Sequence, residues 1–135
     1  MKKNMPQKAA AVFLLLIALL LQGCGGPGYK HISMDEAAKM MKADKSVVIV
    51  DVRTQEEYDK KHVLGAICVP IEDIRADKFD KLPDKSKTLM LYCWTGRRSE
   101  DAAALLAKQG YKNIFEFGGL VDWTGEVEGA EAPKK

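Results

Sequence analysis

An α/β fold, with a mostly parallel sheet and helices on both faces, is the class this sequence predicts on three observations. Strand-like apolar runs alternate with stretches of helical periodicity across residues 30–128. Val47-Val48-Ile49-Val50 is β-branched throughout and apolar on both faces, as suits a strand buried on both sides of a parallel sheet. Two capping boxes, Ser33-Met34-Asp35-Glu36 and Thr54-Gln55-Glu56-Glu57, open helices beside such runs.

The elements follow in order. Ser33 opens a helix that Ala37, Ala38, Met40 and Met41 continue, and the strand at residues 47–50 comes next. Thr54 opens a short helix through Tyr58. Gly65-Ala66-Ile67-Cys68-Val69-Pro70 reads as a brief strand that Pro70 stops, because proline has no N–H for a ladder. Residues 88–92 form a further strand. Residues 99–109 form a helix rich in Ala and Leu, closed by Gly110. Ile114-Phe115-Glu116-Phe117 is the last strand.

The ends have a different composition. Residues 1–10 carry Lys2, Lys3 and Lys8 and no acid, and residues 9–21 are an unbroken run of 13 apolar residues. Spanning a bilayer takes roughly 20, so this run has the length of a secretory signal's core. It ends in Leu21-Gln22-Gly23-Cys24, which resembles the lipobox of bacterial lipoproteins, with cleavage before Cys24 and lipid on its sulfur. The expected organisation is a signal peptide over 1–23, a Gly-rich tether over 24–29, a folded domain over 30–128 and a disordered tail over 129–135. The expected location is the periplasmic side of a bacterial envelope, lipid-anchored to the membrane.

Charge excludes one class of partner. The chain of 135 residues holds 21 basic and 19 acidic residues, a formal +2. Without residues 1–23 it holds 18 and 19, a net −1 over 112 residues. Such a balance does not suit a protein that grips nucleic acid phosphates. Length limits the fold to one domain, and a monomer is expected. Three cysteines are too few for a disulfide scaffold, so each is read separately.

In parallel sheets ligands sit at the carboxyl ends of strands, where loops lead into helix N-termini. Cys93-Trp94-Thr95-Gly96-Arg97-Arg98-Ser99 lies at such a place. Gly96 supplies the backbone freedom of a tight strand-to-helix turn. Successive N–H groups and the positive end of a helix dipole make an anion cradle, and Arg97 and Arg98 add full charges. These surroundings favour thiolate over thiol, which makes Cys93 the candidate nucleophile. No His or carboxylate adjoins it in sequence, so the environment itself must deprotonate it.

These residues resemble the rhodanese-like sulfurtransferases. Cys-x-x-Gly-x-Arg-Ser is similar to that family's active-site loop. Asp51-Val52-Arg53, Glu57-Tyr58, His62-Val63, Gly65-Ala66 with Pro70, and Gly118-Gly119-Leu120 with Trp123 and Gly125 match further signature elements in order. Lys61 stands where a Gly is usual, and Cys68 where Asn is common. The resemblance implies a compact domain with a central parallel sheet of about five strands. It also implies transfer of a sulfane sulfur, from a donor such as thiosulfate to cyanide or a thiol, through a persulfide on Cys93. Loop amides would hold the persulfide, Arg97 and Arg98 the donor's oxygens, and Thr95 and Ser99 would give hydroxyl hydrogen bonds. Trp94 would wall the pocket or mark a docking face. No cofactor or metal is implied.

Asp51, Arg53 and Glu57 are read as supports, with Arg53 paired to Glu57 so as to brace the short helix. His62 is read as structural. Three rival functions stand beside sulfur transfer: a sulfur carrier with little turnover, a thiol redox protein pairing Cys68 with Cys93, and a Cys-dependent phosphatase. The last uses Cys-x5-Arg, whereas only four residues separate Cys93 from Arg98.

Overall fold

A computed structural model describes residues 26–133. The expected signal peptide and Cys24 lie outside the described residues. Strand β1 (Lys30–His31) is followed by α1 (Met34–Ala43), β2 (Val48–Asp51), α2 (Gln55–Lys60), β3 (His62–Val63), β4 (Ile67–Cys68) and α3 (Ile71–Arg75). Then come β5 (Thr88–Cys93), α4 (Arg97–Lys108), β6 (Asn113–Gly119), a 3-10 turn (Leu120–Asp122) and β7 (Val127–Glu128).

Five strands form one parallel sheet in the order β1-β6-β5-β2-β4, and β3 pairs with β7 as an antiparallel ribbon beside it. Both capping boxes are made. The Ser33 and Thr54 hydroxyls accept the Glu36 and Glu57 amides, and each Glu side chain reaches back to its cap residue's N–H.

Strand β5 is central, and its alternation divides the core. Leu89, Leu91 and Cys93 face Ala102, Ala103 and Leu106 of α4 and Ile71 and Ile74 of α3. Met90 and Tyr92 face the other layer, with Ala37 of α1 and Phe117. Every side chain from Leu89 to Cys93 is buried, as expected of a strand covered on both faces.

Several boundaries differ from the expectation, each for a physical reason. Helix α4 begins at Arg97, because Gly96 at φ +106 turns the chain straight from the loop into the helix. Helix α3 escaped the sequence reading. It is five residues long, with only Ile71 and Ile74 buried, too short to show a period. The β1 strand and the β3–β7 ribbon are two-residue pairings that tertiary contacts define.

Both ends are also more engaged than expected. Gly28, assigned to the tether, packs so closely on α4 that a Cβ there would lie 2.7 Å from that of Ala107. In the tail, the amides of Ala130 and Glu131 donate to the carbonyls of Asp59 and Lys60 at 2.9 and 2.7 Å. The end of α2 thus meets the first residues of the expected tail through carbonyls that have no partner within the helix.

Candidate active site

Cys93 ends β5 on the sheet face that α4 covers, buried at 1% exposure. Gly96 caps α4 without a side-chain bond, so the first amides of the helix are left free to point at the sulfur. The Gly96 N–H donates to Sγ at 3.0 Å, and the Ser99 hydroxyl lies 3.6 Å from it. Burial pushes the Cys93 thiol up, but the Ser99 hydroxyl and the amides of Ser99, Gly96 and Thr95 outweigh it and bring the thiol below its ordinary value. Thiolate is thus favoured mainly by hydrogen-bond donors of the loop.

The loop fits only because β6 ends in two glycines. A Cβ on Gly119 would sit 2.0 Å from the Trp94 carbonyl oxygen, far inside van der Waals contact. Gly118 takes φ +94 where the β5–β6 register shifts between Leu91 and Cys93, a bulge that carries β6 beneath the loop. Val121 then donates its N–H to the Trp94 carbonyl at 3.1 Å.

The two arginines divide. Arg98 makes a two-pronged pair with Glu57 at 2.8 and 2.8 Å, tying α4 to α2, so its guanidinium is already engaged. That pair pulls the Glu57 carboxyl down to about 2 against its burial, helped by the Thr54 cap. Arg97 is exposed and has no hydrogen bond or ion pair with the described residues, which leaves it as the loop's free cation. The Thr95 side chain is exposed, and its amide is what serves Cys93. Trp94 is 42% exposed, with the Lys61 ammonium 5.9 Å above its ring. Together with Arg53, Glu57, Lys60, Lys61 and Glu131 it lines a groove of about 320 Å³.

The expected Arg53–Glu57 pair is not made. Arg53 binds Asp51 instead, Nη2 to Oδ2 at 2.7 Å, and donates from the same nitrogen to the Lys61 carbonyl at 2.6 Å. Tyr92 donates its hydroxyl to Asp51 at 2.7 Å and accepts the Val63 amide at 2.9 Å. Asp51 is the nearer and fully buried anion, and an unpaired carboxylate there would be costly, so it takes the guanidinium. This network joins β2, β3 and β5 beneath the site. His62 stacks on Tyr58 with ring centroids 3.7 Å apart and bonds the Tyr58 carbonyl at 2.7 Å, a structural place. Lys61 is extended, at φ −163, so a non-glycine residue meets no strain there.

Cys68 and Cys93 are not placed for a disulfide in this structure. Both are free, and β2 lies between their strands, with Asp51 paired to Cys68 on one side and to Tyr92 on the other. Two strand spacings are roughly 9–10 Å, beyond the ~7 Å a disulfide can bridge. Burial and the Asp51 charge push the Cys68 thiol up to about 11.

Sequence reasoning missed Glu116. It is fully buried on β6 and accepts the Ser99 hydroxyl and the Gly118 amide, each at 2.7 Å, while its other oxygen meets His31 Nδ1 at 2.6 Å. The one available signal was a charge in the last apolar strand, Ile114-Phe115-Glu116-Phe117. Among the described residues, His31, Glu100 and Glu116 group donor atoms of metal-ligand type, but both Glu116 oxygens already have partners.

Known proteins resemble this chain in sequence and in fold. The Rhodanese-like domain family matches residues 33–126. Thiosulfate sulfurtransferase GlpE of Coxiella burnetii is 31% identical over 107 residues, covering 78% of this chain and 97% of its own. Thiosulfate sulfurtransferase PspE of Escherichia coli is 38% identical over 73 residues, 54% of this chain and 70% of its own. A Bacillus subtilis protein named as a sulfur carrier, YrkF, is 35% identical over 73% of this chain, which spans only about half, 52%, of that relative's length. Among solved structures, a rhodanese with anions from E. coli superposes with TM-score 0.56 at 34% identity over 62% of this chain and 98% of its own. The BH2092 protein of Bacillus halodurans gives 0.66 at 26% identity over 95% of this chain and 89% of its own. A parallel five-stranded sheet with its cysteine in a loop of converging amides, and a family match across most of the folded part, lead to one conclusion: the chain belongs to the rhodanese-like domain family.

Proposed function

We propose that this protein is a sulfurtransferase that carries sulfur as a persulfide on Cys93. The observation that carries the reading is the buried Cys93 sulfur beneath the amides at the start of α4, favoured as thiolate with no carboxylate or imidazole among the described residues hydrogen-bonded to it. The thiolate attacks the outer sulfur of thiosulfate, the sulfur–sulfur bond breaks, and sulfite leaves with its electron pair. A cyanide ion or an acceptor thiolate then attacks the outer persulfide sulfur, and Cys93 returns as thiolate. The two half-reactions make a ping-pong cycle. Amides of Thr95, Gly96 and Ser99 stabilise the anion in both states, and Arg97 draws the donor's oxygens. Arg98 supports the loop through Glu57.

The thiosulfate relatives favour turnover, and the carrier relative favours a persulfide handed to a partner. A thiosulfate:cyanide assay on the full chain and on Cys93→Ser, read with intact mass, separates them. Activity lost in the variant supports the enzyme. A stable added sulfur on Cys93 without turnover supports the carrier. Equal activity in both proteins, or no sulfur uptake from any sulfane donor, defeats both. Arg97→Ala is expected to raise KM for thiosulfate roughly 5–10-fold with little change in kcat.

The pattern of residues 1–24 supports a second part of the proposal, export followed by lipid anchoring at Cys24. Expressed in a bacterium, the wild-type chain is expected to partition with detergent and Cys24→Ala to lose that behaviour. Equal partitioning of the two would refute anchoring through this residue.

A further inference from the structure

The single hydroxyl hydrogen of Ser99 has too many acceptors. Ser99 Oγ lies 2.7 Å from Glu116 Oε1, 2.8 Å from the Gly96 carbonyl oxygen, 3.5 Å from the Gly118 carbonyl oxygen and 3.6 Å from the Cys93 sulfur. One hydroxyl gives one hydrogen at a time, so these acceptors compete for it. A carboxylate is the strongest claimant of the four when ionised and at the shortest distance. Glu116 also takes the Gly118 amide at the bulge, and its Oε1 lies beneath Gly96, 3.7 Å from where a Cβ would stand. It therefore touches both sides of the frame that holds the sulfur, while touching neither the sulfur nor any position open to a small donor.

We propose that Glu116 is a positioning residue for Cys93: by holding Ser99 and Gly118 it sets how much of the Ser99 hydrogen reaches the sulfur, and thereby the reactivity of the nucleophile. The titratable groups facing Glu116 are His31 on β1, Tyr29 just before it and Glu100 on α4, and the cation facing Cys93 is Arg98. His31, with its side chain 64% exposed, links the buried carboxylate to solvent. With Glu116 ionised, the hydroxyl hydrogen is drawn away from the sulfur. With a neutral group in its place, the sulfur receives the larger share, and the thiolate is better stabilised. The pull is reciprocal, because a thiolate or persulfide anion at Cys93 competes for the same hydrogen that satisfies Glu116.

The proposal rests on Cys93 being the nucleophile of the reaction above, but it is read on the thiol itself and so can fail or stand apart from sulfur transfer. The pH dependence of Cys93 alkylation, followed by peptide mass in the full chain, gives the titration midpoint of that thiol. Glu116→Gln is expected to lower the midpoint by about one pH unit, since a neutral acceptor competes less well for the hydrogen. Ser99→Ala is expected to raise it, and Glu116→Gln in the Ser99→Ala background is expected to have less than half its effect on wild type. An unmoved midpoint in Glu116→Gln, or an equal shift in both backgrounds, would overturn the proposal, the latter because Glu116 would then act by charge alone. Should Glu116→Gln not fold, Ser99→Ala decides: an unchanged midpoint would mean that the hydroxyl gives nothing to the sulfur, and the proposal falls.

Discussion

Cys93 and Cys68 close neighbouring parts of the same parallel sheet, both at the carboxyl end of a strand and both buried, at 1% and 4% exposure. They differ in what meets the sulfur. Cys93 faces the amides of a helix start, with a hydroxyl beside them, and its thiol falls below the ordinary value. The Cys68 sulfur meets an acceptor, the Arg53 carbonyl at 3.7 Å, and burial together with the Asp51 charge pushes its thiol up to about 11. Burial alone would push both upward. Donor geometry at the end of β5 reverses the sign, and a loop of a few residues brings the thiol of a core cysteine below its ordinary value.

The largest test of this contrast is removal of each thiol. Cys93→Ser is expected to lower sulfur transfer by at least about 10³-fold, roughly 4 kcal/mol in barrier. Cys68→Ala is expected to leave transfer within about twofold, and a loss comparable to that of Cys93→Ser would assign Cys68 a chemical role. Relative reactivity comes next. At pH 7 iodoacetamide should label the Cys93 peptide at least about 100-fold faster than the Cys68 peptide, because the thiolate is the reacting species. Similar rates in the folded protein would break the comparison.

Moving to the frame, Gly96→Ala forces a side chain into φ +106 and should slow Cys93 labelling about 10-fold, as the cradle amides turn away. Retention of the wild-type rate would show that the amides are not what activates the sulfur. Smaller still is the effect of pH on the Glu57–Arg98 strut. The folded Glu57 carboxyl is lowered from 4.5 to about 2, so its contribution to stability is complete above pH 4.5 and is lost as the pH falls toward about 2. Between these values the wild type should lose melting temperature faster than Glu57→Gln, by a few degrees, and parallel curves would remove the strut's role. The smallest change expected is in Cys68→Ala, about 1 kcal/mol of stability from a small buried side chain on a short strand, measurable by denaturant unfolding.

The site was legible in sequence where its geometry is local. Gly96 three residues after Cys93, with a helix to follow, already implies a turn whose amides point back at the sulfur. Thr54 and Glu57 already imply a cap. What Glu57 does beyond the cap was not legible, because its partner Arg98 is 41 residues away on another helix, and several nearer charges offer themselves equally. Arg53 and Asp51 stand two apart, so their pairing was open to a local reading, yet the choice between Asp51 and Glu57 depended on which carboxylate the fold buries. Glu116 looked like one polar residue in an apolar strand until β6 was laid beside β5 and the bulge at Gly118 brought it beneath Ser99.

By itself, then, the sequence determined the α/β class, the family and the cysteine-bearing turn between β5 and α4, since each depends on periodicity or on contacts between residues a few positions apart. Only the tertiary structure decided which arginine stays free, which carboxylate holds Arg53, why the Cys68 thiol lies high and what lies under the loop. Those outcomes depend on strand order and register, which place residues such as Ser99 and Glu116 within hydrogen-bond distance across 17 positions of chain. No local pattern carries that information, because a buried charge accepts whichever partner the packing brings to it.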